Sequence, residues 1–388
     1  MKIADRISRI QPSITLEMTA KAAELKQAGV DVVNLSVGEP DFDTPINIKE
    51  AAHSAIKRGM TKYTAGSGIP ELKNAIIDKL KRDNSLDYNL NNIIVSCGGK
   101  HTLYNACQVL FQKGDEVIIF SPYWVSFPDF VAITGAKPVI VPTIPEKQYE
   151  PDFSFLEKSI NSNTKGIIIN SPSNPTGGVW GDEAIKKTLD IAKKNNLWVF
   201  SDECYEQLTY DTKFKSIQEY DLKNERILTF QSCSKTYSMT GWRIGYTAGH
   251  PEIIKAMSKI QSQSTSCPNS IAQHAAVEAL SGDQSEVFKM KSVFQKRRDF
   301  IVEELNQIEG VSCETPGGAF YVFPSLEGLI KSNKIKSSWD FCFQLLEEKA
   351  IASVPGRSFG AENNIRFSYA ISSERIKLAI QRIKELLG

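Results

Sequence analysis

The central part of the chain alternates short apolar runs with longer amphipathic stretches. Runs of five or six residues rich in β-branched side chains predict strands, and apolar residues spaced three and four apart predict helices. Residues 99–114 predict such a helix, which we expect to end at Gly114. The seven predicted strands are residues 92–96, 116–120, 137–141, 165–170, 197–202, 226–230 and 243–249.

Strands that are apolar on both faces and separated by helices are typical of a mostly parallel sheet with helices on both sides. We therefore predict an α/β fold whose large domain has a mostly parallel seven-stranded sheet covered by helices. After residue 282 a long charged helix, short strands and a closing amphipathic helix predict a smaller α+β domain. The predicted division is an N-terminal arm and part of the small domain in 1–45, the large domain in 46–281, and the small C-terminal domain in 282–388.

Composition excludes several classes of partner. Lys and Arg number 46 against 45 Asp and Glu, so no net field favours nucleic acid or an anionic membrane. The seven cysteines show no CxxC or finger-like spacing, so neither a disulfide framework nor a metal site is expected. Because the chain has no run of about 18 apolar residues and no signal-peptide pattern, we expect a cytoplasmic protein.

Polar segments follow five of the predicted strands, where a folded core would not need them. In a parallel sheet the carboxyl ends of the strands meet at one edge, which is where ligands bind. The five strand ends therefore predict one site. The segments are CGGKH, SPYW, SPSNPTGG, ECY and QSCSK.

Two of these strand ends carry opposite charges. Lys235 follows a buried strand, where lost hydration lowers the pKa of an amine and makes it nucleophilic; the alternative is an ordinary surface lysine. Asp202 ends another strand and needs a cation or strong donor, unless it is a helix cap or structural acid. Backbone N–H groups of Gly99 and Lys100, at a helix start, could face a phosphate or simply form a turn.

A nucleophilic lysine, a carboxylate for a pyridine nitrogen and a phosphate cradle together match the requirements of pyridoxal phosphate. Ser232, Ser234 and Arg243 surround the lysine and would hold the phosphate. Asn174 and Tyr205 could donate to the ring hydroxyl. Trp124 could stack on the ring, although core packing is the commoner fate of such a side chain.

Arg366 lies on a predicted strand of the small domain, in NIRFSYA. A buried guanidinium needs an anion, which a substrate α-carboxylate could supply through a bidentate pair. An internal salt bridge is the alternative. The residue is therefore a candidate for substrate binding.

At this point the chain resembles the fold-type I, class I aminotransferases that use pyridoxal phosphate, and within them the bacterial aspartate aminotransferases. The resemblance extends over nearly the whole chain. Its most specific motifs are SNPTGG, SDECYE and SKTYSMTGWRIG, in this order and separation. Further matching segments are LSVGEPDFDTP, KYTAGSGIPELK, VSCGGKHTLYN, GGAFYVF, VPGRSFG and IRFSYA.

The resemblance implies the role of each residue. Lys235 would form the internal aldimine and carry the proton between the substrate Cα and the cofactor, while Asp202 would keep the ring nitrogen protonated. Tyr205 would be a catalytic residue with Lys235 and Asp202. Gly38, Asn174 and Arg366 would bind the substrate, and Trp124 would stack on the ring and also contact the substrate. The remaining cofactor contacts implied are those of Gly99, Lys100, Tyr205, Ser232, Ser234 and Arg243.

The resemblance also implies a homodimer with shared active sites, in which Tyr63 reaches the phosphate of the neighbouring subunit. Animal and enteric relatives use a partner-subunit arginine for the distal substrate carboxylate, but the corresponding stretch here, QSTSCPNS, has none. Lys100 matches the lysine that has this role in the bacterial enzymes and would also line the substrate site. The substrates expected are amino acids and 2-oxo acids, with aspartate and 2-oxoglutarate first.

Three other functions stay open at this level. The same residues could serve prephenate, aromatic or alanine-type transamination, and the same cofactor could support a β-lyase. Related domains also act as effector-binding parts of transcription regulators, which carry an additional DNA-binding domain before the fold. Here the family pattern begins within the first few dozen residues, and the net charge is +1, so this class is disfavoured.

Overall fold

A computed structural model describes residues 3–10 and 14–388, with the side chains of residues 14–17 and 19 left undescribed. The helices are α1 Ile14–Gln27, α2 Ile46–Lys57, α3 Pro70–Asn84, α4 Gly99–Leu110, α5 Ser126–Ala132, α6 Phe153–Ser159, α7 Asp182–Lys194, α8 Cys233–Thr236, α9 Pro251–Ser264, α10 Ser270–Ser281, α11 Ser285–Asn306, α12 Glu327–Lys331, α13 Ser338–Lys349 and α14 Ser373–Leu387. The strands are β1 Val33–Asn34, β2 Ile93–Ser96, β3 Glu116–Ser121, β4 Lys137–Ile144, β5 Glu150–Pro151, β6 Thr164–Asn170, β7 Trp198–Asp202, β8 Ile227–Ser232, β9 Gly245–Ala248, β10 Tyr321–Val322, β11 Ile351–Ala352, β12 Val354–Pro355 and β13 Ile365–Ser368.

The main sheet has the strand order β2-β9-β8-β7-β6-β3-β4-β5. Its central strands, from β8 to β4, pair in parallel, which confirms the predicted mostly parallel sheet. The predicted count of seven strands is wrong by one. The eighth strand, β5, has two residues and pairs antiparallel with the edge strand β4, and so short a strand leaves no pattern of period two in the sequence.

Both faces of the sheet are covered. Along β6, Ile167 and Ile169 pack into one buried cluster with residues of helix α7, whereas Ile168 packs into another cluster with residues of α4 and α9. Successive side chains of a strand point to opposite faces, so a continuous apolar run is what a sheet covered on both sides requires. The predicted α/β class follows from this pattern and is confirmed.

The carboxyl ends of the central strands bring polar residues together. β6 ends at Asn170, β7 at Asp202 and β8 at Ser232, and Asn170 is the register partner of Asp202. The short helix α8 follows β8 directly and carries Lys235. One edge of the sheet therefore presents the candidate residues of three neighbouring strands.

The C-terminal part contains a three-stranded antiparallel sheet, β10-β13-β12, packed with helices α11, α13 and α14. The N-terminal strand β1 pairs in parallel with β11, so the beginning of the chain packs with its end. The buried cluster of this region also includes Tyr205 and Leu208 from the segment after β7. The residue boundaries proposed for the domains remain a prediction.

Two elements differ from the prediction. Helix α4 ends at Leu110, four residues before Gly114, because Phe111 turns out of the helix and stacks on Phe200 of β7 with ring centroids 5.2 Å apart. β9 begins at Gly245 and runs antiparallel to both neighbours, since it returns from α8 by a short turn without a crossover helix.

Across residues 3–10 and 14–388, no helix combines the length and the apolar character needed to cross a membrane. The same described residues contain no group of three or more His, Cys, Asp or Glu side chains arranged to hold a metal ion.

Candidate active site

One side of the site is an anion cradle between β2, β8 and β9. Gly99 and Lys100 begin helix α4, so their N–H groups have no partner within the helix. Ser232 caps helix α8: its Oγ accepts the N–H of Ser234 at 3.1 Å and lies 2.8 Å from the Ser234 Oγ. Amides at a helix start and two hydroxyls are donors suited to a phosphate.

Arg243 completes this cradle and explains the glycine that precedes α4. Gly98 has φ +95°, and its missing Cβ would occupy the space of the Arg243 guanidinium. Arg243 itself donates from Nη1 to the carbonyl of Thr240 at 2.9 Å. Gly98 therefore permits both the left-handed turn and the close approach of a cation.

Lys235 is partly buried, and its Nζ donates to the carbonyl oxygen of Gly38. Burial lowers the pKa of the amine; Arg366 and Arg243 lower it further, against the opposing effects of Cys204 and Glu39. An amine with a lowered pKa is more readily available as a nucleophile or base.

Asp202 is 5% exposed at the end of β7. Its Oδ1 accepts the backbone N–H of Cys204 at 3.2 Å. Burial raises the pKa of the carboxyl to about 6, although the hydrogen bonds from Cys204 and the charge of Lys235 act in the opposite direction. A cation or strong donor placed beside Asp202 would relieve this penalty.

Arg366 and Asn174 meet across the site. The Arg366 side chain, 2% exposed, donates from Nη1 to Asn174 Oδ1 at 3.0 Å and from Nη2 to the carbonyl of Ser36 at 2.6 Å. Its Nε is buried without a hydrogen-bond partner among the described residues. A buried guanidinium that meets only neutral acceptors has capacity left for an anion.

Tyr205 joins this second cluster. Its hydroxyl lies 2.9 Å from the hydroxyl of Tyr321, and the guanidinium of Arg366 lies over the Tyr321 ring at 4.6 Å. Tyr321 also lies against Gly38, where an added Cβ would be 3.1 Å from its hydroxyl oxygen. Burial raises the pKa of Tyr205, so it remains a neutral hydrogen-bonding group.

Lys100 and Trp124 form a third contact. The Lys100 Nζ lies 5.0 Å from the centre of the Trp124 ring, and Trp124 packs edge to face on Phe127 and Phe130. The pKa of Lys100 is lowered by burial and by the charge of Arg243, with Asp129 opposing. Lys100 is thus electrostatically linked to the anion cradle.

Tyr63 is the predicted site residue that one chain does not bring into these clusters. It is 91% exposed and makes no hydrogen bond or ring contact within the described part of the chain. The other predicted residues lie in the linked contacts described above.

The arrangement fits pyridoxal phosphate on the chemistry of its donors and acceptors. One end offers amides, hydroxyls and the Arg243 guanidinium to a phosphate. The amine of Lys235 interacts electrostatically with both Arg243 and Arg366. The buried carboxylate of Asp202, which also interacts with Lys235, suits a protonated ring nitrogen.

Sequence reasoning missed two participants. Tyr321 lies in GGAFYVF, a motif to which no role was assigned. Two adjacent aromatic residues, Phe320 and Tyr321, follow the glycine pair, and the sequence does not show which ring will lie against Arg366. Ser36 contributes only its backbone carbonyl, which side-chain chemistry cannot reveal.

The chain belongs to a family of pyridoxal phosphate enzymes, aminotransferase class I and II, whose family model matches residues 30–383. The resemblance read from the motifs is confirmed, and with it the class of enzyme, a transaminase.

Individual relatives are similar over the full length. A "Probable aspartate/prephenate aminotransferase" from Rhizobium leguminosarum is 48% identical, covering 100% of this chain and 98% of the relative. An "Aspartate aminotransferase" from Bacillus subtilis is 44% identical, covering 100% and 99%. A solved structure of the Thermus thermophilus aspartate aminotransferase with maleate is 39% identical, with a TM-score of 0.95 and 100% of both chains covered.

Proposed function

We propose that the protein is an aspartate:2-oxoglutarate aminotransferase that depends on pyridoxal phosphate. The observation that carries the proposal is Lys235, a partly buried amine that donates to the carbonyl of Gly38 and whose pKa is lowered by burial and by the charges of Arg366 and Arg243. An amine, a carboxylate site and a phosphate site in one cleft are what this reaction requires. The names of relatives that are 44% and 48% identical to this chain support the choice of aspartate.

In this proposal the cofactor is held at both ends. The anion cradle would bind the phosphate, and the Asp202 carboxylate would pair with the ring nitrogen and keep its proton. Trp124 would cover the ring, while Asn174 and Tyr205 would donate to the ring oxygen. The groups assigned to the phosphate are the N–H groups of Gly99 and Lys100, the hydroxyls of Ser232 and Ser234, and the guanidinium of Arg243.

When bound, pyridoxal phosphate supplies an aldehyde for the amino group and a ring that withdraws electrons from the α carbon. Lys235 would hold the cofactor through this aldehyde, and its Nζ, when free, would accept the α proton. Its lowered pKa leaves more of the amine neutral at neutral pH, as a base must be. The carbonyl of Gly38 would orient the amine between these two tasks.

The substrate is proposed to lie between Arg366 and Lys100. Arg366 and Asn174 would bind the α-carboxylate, and the capacity left on the buried guanidinium supports this role. Gly38 would line the same pocket. The Lys100 ammonium, beside Trp124, would face the distal carboxylate of aspartate or glutamate. One site would serve two substrates in turn, so we expect ping-pong kinetics.

Prephenate as an amino acceptor is a second candidate, because one of the similar relatives is named aspartate/prephenate aminotransferase. Purified, cofactor-loaded protein should be assayed with aspartate, glutamate, phenylalanine and alanine as donors against 2-oxoglutarate and prephenate. The proposal is supported if aspartate, which gives oxaloacetate, reacts faster than every other donor. A faster reaction with another donor would replace aspartate as the proposed substrate. Pyruvate and ammonia released without any acceptor, from an amino acid that carries a leaving group on its β carbon, would indicate a β-lyase.

A homodimer with shared sites is also proposed, supported by the 91% exposure of Tyr63, a predicted site residue that makes no hydrogen bond or ring contact within the described part of the chain. In this arrangement Tyr63 of each chain completes the phosphate site of the other. Mixing unfolded Tyr63→Ala and Lys235→Ala chains before refolding tests it, since hybrid dimers would hold one complete site. Recovered activity above that of either variant alone supports the shared site, and its absence contradicts it.

A cytoplasmic location is proposed because the seven cysteines, four of them buried, are all unpaired thiols. Cell fractionation of the native host would test it: recovery in the cytosolic fraction is expected, and recovery from a secreted or membrane fraction contradicts it.

A further inference from the structure

A segment without regular secondary structure reaches both cations that the proposed reaction uses. Residues 36–44 connect β1 to α2. The carbonyl of Ser36 accepts from Arg366 Nη2 at 2.6 Å, and the carbonyl of Gly38 accepts from Lys235 Nζ. The position of residues 36–44 therefore sets the position of two backbone carbonyls, one beside Arg366 and one beside Lys235.

On one side the segment is fastened to the turn that precedes Arg243. Thr240 Oγ1 donates to Glu39 Oε2 at 2.8 Å. Thr44 Oγ1 donates to the carbonyl of Ser238 at 2.6 Å and accepts from Trp242 Nε1 at 3.0 Å. These bonds anchor the segment to the wall that carries the anion cradle.

On the other side the segment is fastened to helix α11 by one bidentate ion pair. Arg297 Nη1 and Nη2 donate to the two carboxylate oxygens of Asp41 at 2.7 and 2.9 Å. The Arg297 side chain is 8% exposed and that of Asp41 26%. The guanidinium also lies 5.4 Å from the ring of Phe42 and 5.6 Å from that of Phe294.

This contact has the features of a positioning group. A planar guanidinium held by two parallel hydrogen bonds and by two rings fixes the angle of its partner as well as its distance. Asp41 lies three residues from Gly38, too few for the backbone between them to absorb a displacement. Helix α11 packs into the C-terminal cluster, so the pair ties the segment to the part of the chain that also contains Arg366.

We propose that Arg297 is a positioning residue for the substrate carboxylate site, because its pair with Asp41 holds residues 36–44 against Arg366 and Lys235. Arg297 touches neither substrate nor cofactor; it acts through the carbonyls of Ser36 and Gly38. The inference rests on the proposed function only for the identity of the ligand.

Arg298 provides a matched control on the same helix. Its side chain is 4% exposed and pairs with Asp211 and Asp299. None of its hydrogen-bond partners lies in residues 36–44. Replacing Arg298 thus removes a buried, doubly paired guanidinium from α11 without releasing the segment.

The experiment compares Arg297→Gln, Asp41→Asn, the double variant and Arg298→Gln in the cofactor-loaded protein. The first measurement is the dissociation constant of maleate, an unreactive dicarboxylate, by isothermal titration calorimetry. Loss of a hydrogen-bonded charge pair should weaken maleate about tenfold in each single Arg297 or Asp41 variant. The double variant should be no weaker than the singles, because both remove the same contact.

The second measurement is hydrogen–deuterium exchange of peptides from residues 36–44 without any substrate. Exchange should speed up in the Arg297 and Asp41 variants and stay at the wild-type rate in Arg298→Gln. If Arg297→Gln does not fold, it is replaced by Asp41→Asn and Arg297→Lys. The lysine keeps the positive charge but cannot make the bidentate pair with Asp41.

Unchanged exchange of residues 36–44, or equal weakening of maleate by Arg298→Gln, would overturn the positioning role. If the wild type does not bind maleate, the proposed substrate class fails instead, and the exchange rates still decide whether Arg297 holds the segment. Weaker maleate binding confined to the Arg297 and Asp41 variants supports the proposal.

Discussion

Two lysines of this chain, one buried and one partly buried, have opposite environments. Lys79 of helix α3 is 1% exposed and donates to Glu206, to Asn84 Oδ1 at 2.8 Å and to Gln231 Oε1 at 2.9 Å. Lys235 donates only to the carbonyl of Gly38, and within the described residues it has no ion pair. Every N–H of Lys79 is used inside the protein, whereas Lys235 keeps donors, and a nucleophilic lone pair when neutral, for a ligand.

The buried arginines divide in the same way. Arg298 meets two carboxylates, but Arg366 meets an amide oxygen and a backbone carbonyl, with its Nε unpartnered among the described residues. Full pairing offsets the desolvation cost of a buried charge, whereas a buried charge that is not fully paired costs stability until a ligand arrives. Incomplete pairing of a buried charge, rather than burial itself, therefore distinguishes the site from the structural core.

The largest expected effect concerns Lys235→Ala. Turnover of aspartate should fall by at least about a thousandfold, because nucleophile and base are lost together. The visible absorbance of the cofactor-loaded protein should also disappear, while the free energy of unfolding changes little. Spectra, turnover and chemical denaturation check the three statements; transamination at the wild-type rate would remove Lys235 from its assigned role.

Lys79→Met should have the reverse outcome. Removing one partner from a buried, hydrogen-bonded pair leaves Glu206 uncompensated and should lower the free energy of unfolding by about 3–5 kcal/mol. Lys81→Met, on the same helix but with a side chain 69% exposed, is the control and should change stability by less than about 1 kcal/mol. Denaturant titration of both variants measures these changes. Equal changes in the free energy of unfolding would mean that the Lys79 network does not stabilise the fold.

Asp202 gives a test by pH in the cofactor-free protein. Burial raises the pKa of this carboxyl from 3.8 to about 6, so between these values the folded protein holds a proton that the unfolded chain has lost. The contribution of Asp202 to stability should then fall as pH rises through this window, by up to about 3 kcal/mol, and stay constant above it. Asp202→Asn lacks this titration. The free energy of unfolding of the variant minus that of wild type should therefore rise from pH 4 to 6; a flat difference contradicts the raised pKa.

Lys100→Ser should have the smallest effect, and a selective one. If its ammonium faces the distal carboxylate, kcat/KM for aspartate should drop about tenfold while that for phenylalanine changes little. Steady-state assays with both donors provide the measurement. Equal losses would show that Lys100 serves only the cofactor cradle.

The sequence predicted best what lies at strand ends. Asp202, Ser232 and Lys235 follow apolar runs, and a parallel sheet brings such ends to one edge, so their proximity follows from the strand pattern alone. Arg366 was a candidate from its own strand, but its pairing with Asn174 was indicated only by the family resemblance, because no local pattern links β13 to the segment after β6.

Contacts between distant parts of the chain were not predictable. The pair of Arg297 with Asp41 spans 256 positions, and in the sequence both residues look like ordinary surface charges. Lys79 likewise stands in a charged helical stretch that gives no sign of its burial under Glu206. The antiparallel direction of β9 depends on a tight turn after α8 and not on its own residues.

The most direct test of the central claim is a single-turnover measurement. Cofactor-loaded wild-type protein is mixed with excess aspartate in the absence of any 2-oxo acid, and oxaloacetate and ammonia are quantified. The account predicts one equivalent of oxaloacetate per Lys235, no ammonia, and further turnover only after 2-oxoglutarate is added. Absence of oxaloacetate, or continuous release of ammonia without an acceptor, would contradict it.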